Sequence, residues 1–386
     1  MSNMEGILNG IRVLDLTEGL AGAYCTMNLG DYGAEVIKVE LPAGDCARNR
    51  GPMKNGVSAV FAGVNRNKKS VCVDYTTADG KAQLLKMAEK CDILVESFAP
   101  GRMHALGLDY ETVKAVNPGI IYASLTGYGQ TGPLRDHPVD DLVVTAMSGM
   151  MDRTGRRGEP PMMPGVDVGC IYSGVALLSG IAMALYSRLS TGEGTKMEVS
   201  MLDSVFYMLE LFVMNYSIDG AIVPKNGNQD TEVAPLGTFA AKDGYAAIAI
   251  SSEGQWKKFC GLVGAEHLAD DPRFVDNAER IKNLDALVQE IGAITGQWKK
   301  DELVTLLCEN KLAGGALKTI SELIDDPQAQ ATEMIVQTTH PQAGKLYMVG
   351  NPMKLGETPV DITAAPAPML GQHTEEVLKE FGLLSI

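Results

Sequence analysis

The chain has 386 residues, 45% of them hydrophobic, and its 48 acidic against 33 basic side chains give a net charge of −15. This apolar content excludes a disordered chain. So negative a charge disfavours binding to nucleic acid or to acidic membranes. At roughly 150 residues per domain, the length indicates two or three domains.

Neither a membrane span, a secretory leader nor a metal site is predicted. The longest nearly uncharged apolar stretch, residues 174–187, is shorter than the roughly 18 residues that a span requires. Residues 1–10 carry Glu5 and lack a basic, then apolar, leader. The 7 cysteines form no CxxC pair and the 5 histidines are scattered, so we expect no disulfide framework and no zinc. We therefore expect a cytoplasmic protein.

The first part of the chain alternates strand-like and helical segments. The predicted strands are short β-branched or apolar runs at 11–16, 35–40, 70–74, 92–96 and 119–124. Helices are predicted between them, at 21–32 and, from its apolar spacing, at 78–90. This alternation is typical of a parallel α/β sheet.

A second pattern begins at residue 170. Residues 170–189 are apolar on every face and rich in small side chains, which predicts a buried helix. Gly192 would end it, a strand is predicted at 196–200, and a further amphipathic helix at 201–216.

A smaller domain is predicted to begin near residue 219. Its strongest signal is a hairpin, in which 237–241 and 245–250 flank the turn residues 242–244. It would extend to about residue 330, and the Pro-rich stretch 344–368 is predicted to be extended. We therefore divide the chain into domains at 1–218 and 219–330, with a C-terminal segment at 331–386.

Two features could receive an anion. The turn at 19–23 lies between a predicted strand and helix, where backbone amides point outward. It is not a GxGxxG motif, which disfavours a nicotinamide dehydrogenase. Basic side chains cluster at 66–69 and 153–157, and either cluster could bind one small polyanion.

Several motifs, read in order, resemble those of the class III CoA-transferases. This family includes formyl-CoA transferase, the carnitine and bile-acid CoA-transferases, and the related α-methylacyl-CoA racemases. The motifs are 14–17 (LDLT) with 21–22 (AG), 33–40 (GAEVIKVE), 65–70 (NRNKKS), 127–133 (GYGQTGP), 141–146 (DLVVTA), 191–194 (TGEG) and 370–374 (LGQHT). The resemblance extends from about residue 8 to residue 382.

The resemblance implies an α/β fold and a ligand. The fold would be a Rossmann-like large domain formed by both chain ends plus a small α+β domain, in an interlocked homodimer. Coenzyme A would bind the large domain as a substrate, with no tightly bound cofactor. By the same resemblance its adenine and phosphate end would contact Lys38, Asn67, Lys68 and Arg102.

The family's chemistry uses one aspartate that attacks the acyl-CoA thioester and becomes an aspartyl-CoA thioester. In this chain Cys170 occupies that position, and Asp167 lies three residues earlier. Asp167 is either the reactive carboxylate or the N-cap of the following helix. Cys170 is either a small core residue or a thiolate stabilised by the helix N-terminus.

A cysteine cannot replace the aspartate directly, because an acyl-cysteine is only another thioester. A thiolate could instead remove an α-proton, as a base does in the racemase branch. That branch's second base, a histidine, corresponds here to Asp140, whose neighbour Asp141 would raise the pKa of one carboxyl if both were buried. His137 is a further candidate base.

The leading prediction is an acyl-CoA:carboxylate CoA-transferase, acting on an acyl-CoA and a small carboxylic acid, with catalysis by Asp167, Cys170 or Asp140. An acyl-CoA racemase or isomerase is the first alternative. A CoA-binding member that lost its carboxylate and its activity is the second.

Overall fold

The computed structural model describes residues 6–356 and 365–384. The chain forms two compact units, the first made of Met1–Met150, Pro164–Glu210 and Ile324–Ile386, and the second of Met151–Met163 and Leu211–Leu323. The predicted large domain formed by both chain ends is confirmed. The two units divide at residues 210 and 323, and residues 151–163 belong to the second unit. The domain boundaries at 218 and 330 stay predictions.

Thirteen strands occur in the described ranges. They are β1 (Arg12–Leu16), β2 (Glu35–Glu40), β3 (Met53–Lys54), β4 (Val57–Ser58), β5 (Lys68–Cys72), β6 (Ile93–Glu96), β7 (Ile121–Thr126), β8 (Thr195–Ser200), β9 (Leu236–Ala241), β10 (Gly244–Ala249), β11 (Ala313–Ala316), β12 (Ile335–His340) and β13 (Gly344–Val349).

The helices occupy most of the remaining chain. They are α1 (Ala21–Asp31), α2 (Ala59–Val64), α3 (Ala78–Ala88), α4 (Arg102–Leu106), α5 (Tyr110–Val116), α6 (Asp141–Met147), α7 (Val168–Thr191), α8 (Met201–Tyr207), α9 (Glu210–Asp219), α10 (Glu253–Leu262), α11 (Glu266–Ala269), α12 (Asn277–Lys282), α13 (Leu284–Thr295), α14 (Lys300–Glu309), α15 (Ile320–Ile324), α16 (Pro327–Ala331) and α17 (Thr374–Glu380).

A six-stranded parallel sheet organises the first unit, in the order β5-β2-β1-β6-β7-β8. Its four central strands, β2, β1, β6 and β7, are almost wholly buried because helices cover both faces of the sheet there. Leu14 and Ile37 pack with α3, α5 and α17 on one face, whereas Val13 and Val36 pack with α1 and α7 on the other. The predicted parallel α/β pattern is confirmed.

One predicted strand was displaced. The sequence placed it at 70–74, but β5 begins at Lys68, because the Lys68 side chain is buried. A buried lysine has no apolar signature in the sequence.

Helix α7 differs from its prediction. One face is buried and packs closely on α1: a Cβ added at Gly174 would lie 2.6 Å from the Ala21 carbonyl oxygen. The opposite face is exposed, with 71% of Met183, 78% of Tyr186 and 86% of Leu189 accessible. The prediction of a wholly buried helix is therefore wrong for the described chain.

The length of α7 also bears on the membrane prediction. Its 24 residues are long and apolar enough to cross a membrane by those two criteria, although the apolar stretch predicted from the sequence was shorter. Its packing against α1, β7 and β8 is that of a helix covering a sheet.

Residues 365–384 complete the first unit at the edge strand β5. The Ser70 carbonyl accepts the His373 amide at 2.9 Å, and the Cys72 amide donates to Thr374 Oγ1 at 2.9 Å. The Ser70 hydroxyl accepts the Gly371 amide at 2.8 Å. Of the stretch predicted to be extended, 344–349 forms a hairpin strand, β13, and 357–364 lie outside the described residues.

The second unit is a small α+β fold. Strands β11, β10 and β9 form an antiparallel sheet, with β9 and β10 joined at the predicted hairpin turn. Phe239 and Ile248 of this sheet pack against Trp256, Leu287 and Leu303 of the helices. The predicted small domain of mixed composition is confirmed.

Candidate active site

Three carboxylates and one thiol surround the first turn of α7; we call Asp140, Asp141, Asp167 and Cys170 the acidic turn. Asp141 is the first residue of α6, and its Oδ1 accepts the backbone N–H of Cys170 at 2.7 Å. Gly169 permits this approach, because a Cβ at that position would lie 2.9 Å from the same oxygen. A donor at the start of α7 is thus satisfied by a neighbouring helix.

The other two carboxylates have different environments. Asp140 is the N-cap of α6, and its Oδ1 accepts the Leu142 amide at 3.1 Å. Asp167 occupies the N-cap position of α7, as one interpretation of the sequence predicted, but its exposed side chain makes no capping hydrogen bond. Asp141 supplies that bond instead.

The Cys170 side chain is a protonated thiol at neutral pH. Burial raises its pKa to about 12, and the charge and hydrogen bond of Asp141, followed by the charges of Asp167 and Asp140, act in the same direction. A helix N-terminus contributes only about 1 kcal/mol to a nearby anion. These larger effects disfavour a thiolate at this helix end, which stays a prediction.

Two of the predicted CoA contacts lie in a second cluster, the lysine network, formed by Asp15, Lys38, Asp45 and Lys68. Lys38 Nζ lies 2.8 Å from Asp45 Oδ2, and Lys68 Nζ lies 3.0 Å from Asp15 Oδ2. Both lysines are buried. Their contact with CoA stays a prediction, since here each ammonium is enclosed by the chain's own acids.

The lysine network shifts the pKa of each member. Burial would raise the pKa of Asp15, but Lys68 and Lys38 outweigh it and lower that pKa to about 2. Burial lowers the pKa of Lys68 to about 8, with Lys38 acting in the same direction. For Lys38, Asp15 and Asp45 outweigh burial and raise the pKa.

The predicted anion-binding turn after β1 also holds a carboxylate of the chain. The Gly19 amide donates to Asp45 Oδ1 at 3.0 Å. The turn therefore binds an anion as predicted from its position, but that anion is a side chain of the lysine network.

The remaining two predicted CoA contacts lie elsewhere in the first unit. Asn67 donates from Nδ2 to Asp31 Oδ1 at 3.1 Å and accepts the Ala365 amide at 3.0 Å. Arg102 is exposed at the start of α4, with its guanidinium 5.0 Å from the centre of the Phe98 ring. Of the four, Arg102 is the one whose charge faces solvent.

A cleft of about 320 Å³ opens beside α4 and was not predicted. Its lining includes Glu96, Tyr110, Tyr122, Arg135 and Lys196. Burial raises the pKa of Glu96. The one sequence signal for it was that Glu96 ends a strand of a parallel sheet, where ligands commonly bind.

Groups of three or more His, Cys, Asp or Glu side chains able to hold a metal ion are absent from residues 6–356 and 365–384.

Comparisons with known proteins identify the family. The model of CoA-transferase family III matches residues 8–374. The chain is 34% identical to a succinate–glutarate CoA-transferase of Agrobacterium fabrum, over 98% of this chain and 97% of the relative. It is 35% identical to an acetyl-CoA:oxalate CoA-transferase of Acetobacter aceti, over 98% and 96%.

A solved structure agrees with these relatives. A CAIB/BAIF family protein from Brucella suis superimposes with a TM-score of 0.90 at 32% identity, covering 98% of this chain and 100% of that one. The resemblance inferred from the motifs is confirmed, and the chain belongs to CoA-transferase family III.

Proposed function

We propose that this chain transfers CoA from an acyl-CoA to a carboxylic acid, and that the reaction takes place at the acidic turn. The observation that carries the proposal is the Asp141 carboxylate held on the Cys170 N–H at the start of α7. A carboxylate can attack a thioester and can itself carry CoA, so it supplies the covalent step that transfer needs.

The protonated thiol supports a carboxylate rather than Cys170 as the reacting group. With a pKa of about 12, only about one thiol in 10⁵ is ionised at pH 7. The same protonation weakens proton abstraction by Cys170, which the racemase alternative requires. The Asp140 carboxylate, the other predicted base, is bonded to the Leu142 amide.

The substrates are proposed from the names of the relatives. Succinate, glutarate and oxalate are all short dicarboxylic acids. We expect this chain to use CoA thioesters and free acids of that class, with CoA as a substrate rather than a bound cofactor. The cytoplasmic location predicted from the sequence remains a proposal.

The test is an acceptor panel in heavy water. Purified protein is given succinyl-CoA with glutarate, oxalate or mesaconate, and the CoA products are analysed by mass spectrometry. Formation of the acceptor's CoA thioester is the expected result. Deuterium incorporation without an acceptor would favour an isomerase, and neither product with any acid of a wider panel would favour a silent CoA-binding member.

A homodimer is the proposed assembly. The exposed side chains of Met183, Tyr186 and Leu189 form an apolar stripe on α7, and Tyr207 of α8 is 71% exposed. Large exposed apolar patches mark interaction sites, and we expect a second copy to cover this one. Interlocking of the two chains remains part of this proposal.

Light scattering after size exclusion tests the assembly. The double variant Met183→Glu with Leu189→Glu should shift the mass from dimer to monomer, whereas Ala82→Glu, on the exposed side of α3, should not. A monomeric wild type would refute the homodimer and leave the transfer reaction untouched.

A further inference from the structure

We infer that Asp141 is the carboxylate that attacks the acyl-CoA thioester, taking the place of the aspartate that position 170 lacks. The inference rests on the proposed function and goes beyond it by naming the attacking residue. It differs from the sequence predictions, which placed catalysis on Asp167, Cys170 or Asp140.

The first support is where the Asp141 carboxylate lies. Its Oδ1 is 2.7 Å from the Cys170 amide nitrogen, and its negative charge is one of the causes that raise the pKa of the Cys170 thiol. Residue 141 therefore brings a carboxylate to residue 170 from the neighbouring helix α6. Position 170 is a cysteine in the sequence, but in the structure the Asp141 carboxylate lies next to it.

The second support is the comparison with the other carboxylates of the acidic turn. Asp140 is bonded within its own helix, to the Leu142 amide. Asp167 is exposed, and no hydrogen bond to α7 fixes its side chain. Asp141 alone among the three combines partial burial with a bond to the α7 amide, and such fixed orientation is what a nucleophile requires.

The two oxygens of Asp141 are held unequally. Oδ1 is bound by the Cys170 N–H, whereas Oδ2 lies 3.5 Å from Thr145 Oγ1, at the limit of a hydrogen bond. The Thr145 hydroxyl donates instead to the Asp141 carbonyl oxygen at 2.7 Å. Oδ2 is therefore the attacking oxygen, and the Cys170 N–H remains on Oδ1 as bonds change.

The reaction then proceeds in four acyl-transfer steps, each of which forms one bond and breaks one. Oδ2 bonds to the thioester carbonyl carbon and CoA leaves as a thiolate, giving a mixed anhydride. The thiolate attacks the side-chain carboxyl carbon of Asp141, Cγ, and the donor acid leaves as its carboxylate, giving an aspartyl-CoA thioester. The acceptor carboxylate attacks this thioester and releases CoA thiolate. That thiolate attacks the acceptor's carbonyl carbon, which forms the new acyl-CoA and restores the Asp141 carboxylate.

Asp141→Asn is the informative variant, because it separates structure from chemistry. The asparagine Oδ1 still accepts the Cys170 N–H, so α7 keeps its bond, but the amide cannot form the anhydride. We expect CoA transfer to fall by about 10³-fold or more, with an unchanged circular dichroism spectrum and melting temperature. Asp79→Asn, on exposed α3, is the matched control and should retain wild-type transfer.

Trapping locates the intermediate directly. Protein incubated with succinyl-CoA without an acceptor, then treated with hydroxylamine, should carry a hydroxamate on Asp141, located by tandem mass spectrometry of the peptide. A hydroxamate on Asp167 or Asp140, or an acyl group on Cys170, would overturn the inference. So would an Asp141→Asn variant that transfers CoA at a rate near that of the wild type.

Returning the carboxylate to position 170 completes the test. The double variant Cys170→Asp with Asp141→Asn should recover at least about tenfold of the transfer lost in Asp141→Asn, since one carboxylate again lies at the start of α7 and the nearest neighbouring charge, that of Asp141, has been removed. No recovery, together with a wild-type label elsewhere, would contradict the inference. A wild type that transfers CoA to no acid would refute the proposed function and this inference together.

Discussion

The lysine network and the acidic turn both gather carboxylates within the first unit, but they balance charge differently. In the lysine network two ammonium groups face two carboxylates, and all four residues are buried. In the acidic turn three carboxylates surround a thiol, and Asp141 accepts hydrogen bonds from neutral groups, the Cys170 amide and the Thr145 hydroxyl.

The two clusters differ in whether their carboxylates are already neutralised by cations of the chain. A buried ion pair is costly to break, because removing one partner leaves the other as an uncompensated buried charge. A carboxylate fixed by neutral donors keeps its charge for chemistry.

The largest effect is expected from a substitution that breaks the lysine network. Asp15→Asn keeps the side chain's shape but leaves Lys38 and Lys68 with less negative charge in a buried environment. We expect a loss of about 3–5 kcal/mol in the free energy of unfolding. Urea unfolding measures it, with Asp79→Asn as the exposed control, and a loss below about 1 kcal/mol would show that the network is not a structural one.

The pH dependence of the free energy of unfolding gives a second test of the lysine network. The pKa of Lys68 is about 8 in the folded state, below its ordinary value of 10.5. Below pH 8 both folded and unfolded chains hold this proton; between pH 8 and about 10.5 the unfolded chain binds more protons, so stability rises with pH. Relative to Lys68→Met, the wild type should gain about 1–3 kcal/mol across that window.

Urea unfolding of both proteins from pH 7 to pH 10.5 measures this gain, and the comparison cancels the other groups that titrate. A constant difference across the window would mean that Lys68 is charged throughout, as an ordinary ion pair is.

Thiol alkylation tests the acidic turn. Because the pKa of Cys170 is about 12, its rate with iodoacetamide should rise about tenfold per pH unit from 7 to 10, without a plateau. Asp141→Asn should increase the rate at pH 8 by about tenfold, since it removes the nearest charge that opposes thiolate formation. Peptide mass spectrometry gives both rates, and a plateau near pH 7.5 would restore the thiolate hypothesis.

The smallest expected effect concerns Asp140. Asp140→Ala should lower the free energy of unfolding by about 1 kcal/mol, because the Leu142 amide loses its acceptor. Asp140→Ser should retain most of that stability, since serine also caps helices. Equal losses in the two variants would show that the charge, rather than the cap, is what matters there.

Much of the fold could be predicted because the strands, helices and turns are determined by residues close together in the sequence. The β-branched runs of β1 and β2 and the hairpin at 242–244 follow from neighbouring residues alone. The start of β5 could not, because a buried lysine resembles a surface residue until its partner Asp15, far away in the sequence, is known.

The site was predicted less fully, for the same reason. The family resemblance brought attention to Asp167 and Cys170, which lie in the acidic turn with Asp141. The bond from Asp141 to the Cys170 amide joins two helices, so no spacing within one helix reveals it. The Asp140 and Asp141 pair in the sequence was the available signal, and it was interpreted as a like-charged pair rather than as a cap for another helix.

The bonds between residues 371–374 and strand β5 have a consequence for synthesis on the ribosome. β5 pairs with β2 on one side, and these bonds come to it from a segment made some three hundred residues later. The outer edge of β5 therefore cannot make these bonds until the C-terminal segment has been synthesised.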